Sequence, residues 1–310
     1  VGVGDMSGDV FGNGMLRSPF TRLVAAFDHR DIFIDPNPDE AVSFEERKRL
    51  FENPQLSWQD YDRAKLSEGG MVIPRAAKSA TLTPQAAETL GLRKTAVSPA
   101  EIMSAILKAP VDLLWFGGIG TYVRGATETN ADAGDRANDA IRITGGEIRA
   151  RVVGEGANLG MTQRGRIEYG LAGGRCNSDA IDNSAGVNSS DVEVNIKIGL
   201  AAAMREGRLT RPARNRLLGE MTDEVAALVL ANNYQQTLAV SLARRRGLAD
   251  LTHQERFMQA LEGRGLLDRA VEALPSSAAV ADRQLRGEPL TRAELGVLLA
   301  YAKLTLFDDV

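Results

Sequence analysis

VGVGDMSGDVFGNGML, residues 1–16, sets a strand-like run, Val1–Gly4, directly before a glycine-studded turn that leads into a helical segment at Met15 and Leu16. Glycine lets backbone approach an anion closely, and exposed N–H groups at the start of the following helix can then hold a pyrophosphate. Gly4, Asp5, Ser7, Gly8, Asp9 and Val10 are therefore the candidate cofactor contacts of this loop. The spacing is not a plain G-x-G-x-x-G, because Gly2 and Gly4 are followed by Gly8, Gly12 and Gly14. Taken alone it is a weak nucleotide signal.

Support comes from Leu23–Asp28, which reads as a second strand ending in an acid roughly 20 residues past the glycines, where a carboxylate would accept hydrogen bonds from an adenosine ribose. Asp28 favours NAD, since it would repel a 2′-phosphate. The competing reading is a polar strand end beside His29 and Arg30. Further strands are expected at Met71–Ile73, Val111–Phe116, Arg151–Gly154 and Ala180–Asp182. Helical segments alternate with them, so residues 1–194 read as an α/β, doubly wound (Rossmann-like) parallel sheet forming a dinucleotide-binding domain. Ser43 with Glu46, Ser98 with Glu101, and Thr83 with Pro84 mark helix starts, and Asp35–Asp39 with its two prolines is a turn.

From residue 195 to 310 the pattern is all-helical, over 196–206, 211–231, 235–246, 254–273 and 292–306. Apolar residues recur there at three and four, as in Leu217, Leu218, Met221, Val225 and Leu228, and Thr291 with Glu294 forms another capping box.

Composition narrows the function. Lys and Arg number 37 against 41 Asp and Glu, interspersed, for a net charge of −4, which argues against nucleic acid. The triplet Arg244–Arg246 is explained by the helix dipole and solvation at a helix end. A single cysteine, Cys176, and two histidines, His29 and His253, leave neither a disulfide framework nor a histidine metal cluster, and suit a cytoplasmic protein without a metal. No apolar run approaches the roughly 20 residues of a membrane span.

The densest polar and glycine-rich region lies between Arg151 and Glu193. Glu155 and Asn158 are expected at the carboxyl edge of the sheet, where doubly wound folds bind ligands. Asn183 repeats the arrangement after the next strand. A neutral amide beside a nicotinamide can bond its carboxamide, so Asn158 and Asn183 are candidate cofactor contacts; the competing and, for any single loop asparagine, more ordinary reading is that they shape turns. Ser190, three before Glu193, is either a ligand or the N-cap of the following helix.

GDMSGDVFGNGML, AAFDHRDIFIDPNPD, VDLLWFGGIGTYV, VVGEGANLGMTQRGRIEYGLAGGR and DAIDNSAGVNSSDVEVNIKI together resemble the large, long-chain bacterial NAD-specific glutamate dehydrogenases. The likeness is close over about residues 1–198, and the helical remainder resembles the C-terminal region of that family. It implies oxidative deamination of L-glutamate to 2-oxoglutarate and ammonia, with hydride passing to NAD, in a full-length homo-oligomer. The segments around Glu155–Asn158 and Asn183–Ser190 are also similar to shorter glutamate dehydrogenases. That match gives Asn183 a place near nicotinamide and substrate, and Ser190 the substrate side-chain carboxylate. Ser184-Ala185 replaces those relatives' Ala-Gly, so the register could slip to Ser189.

The family's catalytic lysine and acid belong to a preceding substrate domain, so the resemblance puts them upstream of Val1, with the first strand truncated and the fragment alone inactive. Lys65, Lys78 and Lys197 match no catalytic motif. The other readings are another NAD-dependent amino-acid or 2-hydroxy-acid dehydrogenase on the same fold, or a non-catalytic nucleotide-domain assembly module.

Overall fold

The computed structural model describes residues 1–309. Ten strands occur among them: Gly2–Val3 (β1), Ala25–Phe27 (β2), Asp31–Ile34 (β3), Met71–Pro74 (β4), Ala80–Thr81 (β5), Ala96–Val97 (β6), Leu113–Phe116 (β7), Val123–Arg124 (β8), Ile143–Thr144 (β9) and Val152–Glu155 (β10). The α-helices are Glu40–Phe51 (α1), Pro84–Leu90 (α2), Pro99–Leu107 (α3), Asn130–Ala133 (α4), Gln163–Leu171 (α5), Asp179–Asp182 (α6), Ser184–Arg205 (α7), Arg211–Glu220 (α8), Thr222–Arg246 (α9), Leu248–Gly263 (α10), Ser277–Arg286 (α11) and Arg292–Asp309 (α12).

Six strands form the central sheet in the order β10-β7-β1-β2-β3-β4. The first four are parallel, with Gly2 opposite both Ala26 and Trp115, and Gly154 opposite Trp115. β3 adds antiparallel to β2, and β4 pairs antiparallel with β3 at the edge, so β4 again runs with the core. The chain leaves β1 toward β2 on one side and returns to β7 on the other, so the strand order reverses at β1. A crevice opens beyond the carboxyl ends of strands at such a point.

The period-two alternation of strands divides the core between the two faces. Ala25, Phe27, Ile32, Ile34, Leu114 and Phe116 pack on one side with α2 and α3 residues such as Leu90 and Ile106. Ala26 and Phe33 point the other way, into Phe11, Leu50, Trp58 and Tyr61. A separate helical core joins Val240, Leu251, Met258, Leu261, Leu290, Leu295 and Leu298.

The α/β class with a helical C-terminal region is as expected, and several local readings are corrected. Ala180–Asp182 is helical, inside α6. Its side chains bond locally, Asp179 accepting from the Ala180 amide, while the Asp182 and Asn183 amides reach back to Ser178 and Asp179 carbonyls. The parallel edge beyond β10 is instead Arg175, whose amide and carbonyl bond Arg151 and Val153. β3 was not anticipated, because four buried residues after a three-residue turn carry no alternation to read.

Asp39, not Ser43, caps α1 by accepting from the Val42 amide, and Ser43 is buried in the helix. The pairs at Ser98, Thr83 and Thr291 do cap their helices. α7 starts at Ser184 and runs through residues 194 and 195. The expected 211–231 helix breaks at Met221, and the 254–273 helix stops at Gly263 before Gly265 at φ 69°. No helix among the described residues is long and apolar enough to cross a membrane.

Candidate functional site

Gly4 ends β1 with φ 148°, a conformation that favours glycine, and its amide donates to the Phe27 carbonyl at 2.8 Å. A Cβ at Gly4 would stand 2.5 Å from Cβ of Phe11, and one at Gly118, after β7, would stand 3.0 Å from Cα of Gly4. Two adjacent strand ends, β1 and β7, therefore meet glycine to glycine at the floor of the crevice, close-packed on each other and on Phe11. Gly12 serves packing as well. Its Cβ would lie 2.0 Å from the Met6 carbonyl oxygen, so glycine lets the wide helical turn Asp9–Asn13 sit against the loop.

Asp5 and Ser7 shape the loop. Asp5 Oδ1 accepts from the Ser7 amide at 2.9 Å and the Ser7 hydroxyl at 2.8 Å, while Oδ2 pairs with Arg30 at 3.1 Å. Gly8 donates to the Asp5 carbonyl, and Asp9 and Val10 stand exposed at the head of the helical turn.

Asp28 closes the turn between β2 and β3, 5% exposed, with Oδ1 accepting from the Arg30 amide at 2.6 Å and the Asp31 amide at 2.8 Å. Oδ2 is buried with no partner among the described residues. Burial pushes this carboxyl above its ordinary range, against the two backbone donors, and the nearby Asp5 and Asp31 carboxylates add to the rise. Asp5, Asp28 and His29 come within 4.8 Å of one another, but Arg30 already neutralises Asp5.

At the end of β10, Glu155 is fully buried and does not face the crevice as a ligand. Arg166 Nε and Nη2 donate to its two oxygens at 2.6 and 2.9 Å, and the Met161 amide donates at 3.1 Å. Asp182 accepts from the Glu155 amide at 3.0 Å and from Asn177 at 2.7 Å, locking α6 to the strand end. Cys176 lies buried beside this group, its thiol pushed up to about 12 by burial and by Glu155, and is inert as a nucleophile.

Asn158 and Asn183 come together. Asn183 Nδ2 donates to Asn158 Oδ1 at 2.7 Å, and the next residue, Leu159, is held at φ 61° with its amide on Asp179 Oδ2. Positive φ at a branched residue is stored strain, retained here by that carboxylate. Ser190 is exposed within α7 and is not its N-cap. Seven residues beyond Asn183 it shares that residue's helix face about 10 Å further along. Ser189 donates to the Ala185 carbonyl.

Sequence reasoning did not single out Gly117–Gly120, which the fold brings to the crevice beside Gly4. Following β7 at the crevice, this loop carries Ile119 at 94% exposure and Gly120 at φ 139°, above the stacked pair Phe116 and Tyr122. The signal available was a strand run, Leu113–Phe116, that leads straight into glycine, as Val3 leads into Gly4.

The family described as bacterial NAD-glutamate dehydrogenase, catalytic domain, matches residues 1–243. Over 310 residues the chain is 55% identical to a protein of Pseudomonas aeruginosa and 52% to one of Halomonas elongata, and over 317 aligned residues 50% to one of Mycobacterium tuberculosis. All three are named NAD-specific glutamate dehydrogenase, and each alignment covers the whole chain. The chain spans about a fifth of the length of these curated relatives.

Proposed function

This chain belongs to the bacterial NAD-glutamate dehydrogenase family, and from that premise we propose that it is the NAD-binding part of a cytoplasmic enzyme that oxidatively deaminates L-glutamate to 2-oxoglutarate and ammonia. The observation that carries the reading is the gathering, at one carboxyl edge of the sheet, of the Gly4/Gly118 floor, the unpartnered Asp28 oxygen and the Asn158–Asn183 pair. In this reading residues 1–194 hold the cofactor and residues 195–310 form the helical region.

When bound, NAD supplies the hydride chemistry, accepting hydride from the substrate Cα. The chain's own contribution is binding and orientation, which can account for a large part of such a barrier. The Asp9 and Val10 amides at the head of the helical turn hold the pyrophosphate beside Gly4 and Gly8, with Asp5 and Ser7 keeping the loop in shape. Asp28 Oδ2 accepts from an adenosine ribose hydroxyl. Asn158 and Asn183 offer uncharged donors and acceptors to the carboxamide without adding charge beside the reacting carbon. Ser190, on the face of α7 shared with Asn183, contacts the substrate carboxylate. The lysine and acid that handle protons at the imine belong, on this reading, to the rest of the full-length protein.

Titration of NAD against the 310-residue chain and its Asp28→Ala variant tests the cofactor site, and equal affinities would refute the ribose assignment. Glutamate turnover by the 310-residue chain at the rate of a full-length enzyme would refute the division of labour.

A further inference from the structure

A cavity of about 630 Å³ lies between the β10 edge of the sheet and the helices α9 and α12, with Trp115, Asn177 and Asp182 on its walls. Three guanidinium groups line it, from Arg175 on the edge segment, Arg244 in the last turn of α9 and Arg292 at the first position of α12. Their negative counterparts are missing. Arg175 and Arg244 have no side-chain hydrogen bond or ion pair among the described residues, and Arg292 bonds only neutral oxygens, Asn177 Oδ1 at 2.9 Å and Ser241 Oγ at 3.0 Å.

The carboxylate on the wall, Asp182, already accepts from the Glu155 amide and from Asn177. Glu294, which caps α12, is paired with Arg283 at 2.9 Å. Arg292 also stands at the positive end of the α12 dipole, where a cation is disfavoured. Burial, reinforced by Arg244 and Arg175 and opposed by Asp182, holds its guanidinium below the ordinary range. Like charges gathered from three separate elements repel one another unless an anion joins them, and guanidinium forks match carboxylate and phosphoryl oxygens.

We propose that this cavity binds a compact multivalent oxyanion, phosphoryl or polycarboxylate, held by Arg175, Arg244 and Arg292. The site bridges the sheet and the helical region. Its inner wall is Trp115, whose indole also packs against Gly14 and under Gly117 of the crevice, so an occupant touches the residue that supports the glycine-rich loop.

The test is calorimetric titration of the 310-residue chain with inorganic phosphate and, separately, citrate at fixed ionic strength, with and without excess NAD. The comparison is an Arg175→Gln/Arg244→Gln variant, whose two side chains are exposed, checked for an unchanged melting curve. Saturable binding of either probe, at least tenfold weaker in the variant and unaffected by NAD, is expected. Phosphate alone or citrate alone names the chemical class. Absence of binding by both probes, equal affinity in the variant, or displacement by NAD would overturn the proposal.

Discussion

Asn183 donates its side-chain amide to the carboxamide oxygen of Asn158 at 2.7 Å across 25 residues of sequence, tying the start of α7 to the strained turn that leaves β10. The bond is exposed, so its net contribution to stability is about 1 kcal/mol or less. Asn183→Ala should therefore leave the melting temperature of the chain within a few degrees. In the full-length enzyme it should lower kcat/KM for glutamate at least tenfold. Steady-state kinetics beside a thermal melt check both, and a large loss of stability with little loss of activity would make the pair merely structural.

Asp28 gives opposite predictions for stability and binding. Its folded pKa is raised by burial, so the folded state binds the proton more tightly than the unfolded chain and the ionised carboxylate destabilises the fold. The penalty is absent below the ordinary aspartate value of 3.8 and grows as pH rises through the raised folded value. Asp28→Asn keeps an acceptor for the Arg30 and Asp31 amides, so it should raise the melting temperature at pH 7 and lose that advantage at pH 3. NAD affinity should fall about tenfold at pH 7, about 1.4 kcal/mol. Melts at the two pH values and a cofactor titration separate the effects.

The Glu155–Arg166 pair is buried on both sides, with side chains 0% and 5% exposed. Arg166→Met strands a carboxylate in the core and should destabilise the chain by about 3–5 kcal/mol. Adding Glu155→Gln should recover part of that loss, because the uncompensated charge is gone. Urea denaturation of the single and double variants measures the coupling.

Two glycines should respond oppositely to alanine. At Gly12 the new Cβ would meet the Met6 carbonyl oxygen at 2.0 Å, so the turn must move off the loop and both stability and NAD affinity should drop. Gly199, inside α7, has nothing within 4 Å of the new Cβ, and alanine there should stabilise by about 0.5–1 kcal/mol. Thermal melts of the two variants decide the order.

Much of the α/β architecture was legible because its signals are local. Capping at Thr83, Ser98 and Thr291 depends on residues three apart, and strands such as Leu113–Phe116 are short apolar runs bounded by turn residues. The reading failed where partners lie far along the chain. Ile181 is apolar in a short run that resembles a strand, yet Asp179 and Asp182 bind Leu159 and Glu155 amides and hold it in a helix. In the helical region the periodicity is genuine, but it does not reveal burial, for Leu228 continues the stripe at 57% exposure.

The sequence by itself determined the class of fold, the glycine-rich turn and the acid at the end of the second strand, because glycine's freedom and strand periodicity act within a few residues. The tertiary structure alone decided that Glu155 is an anchor for Arg166, that Asn158 and Asn183 meet, and that Arg175, Arg244 and Arg292 surround one cavity. Those outcomes depend on burial and on charges brought together from distant elements, which no local pattern encodes.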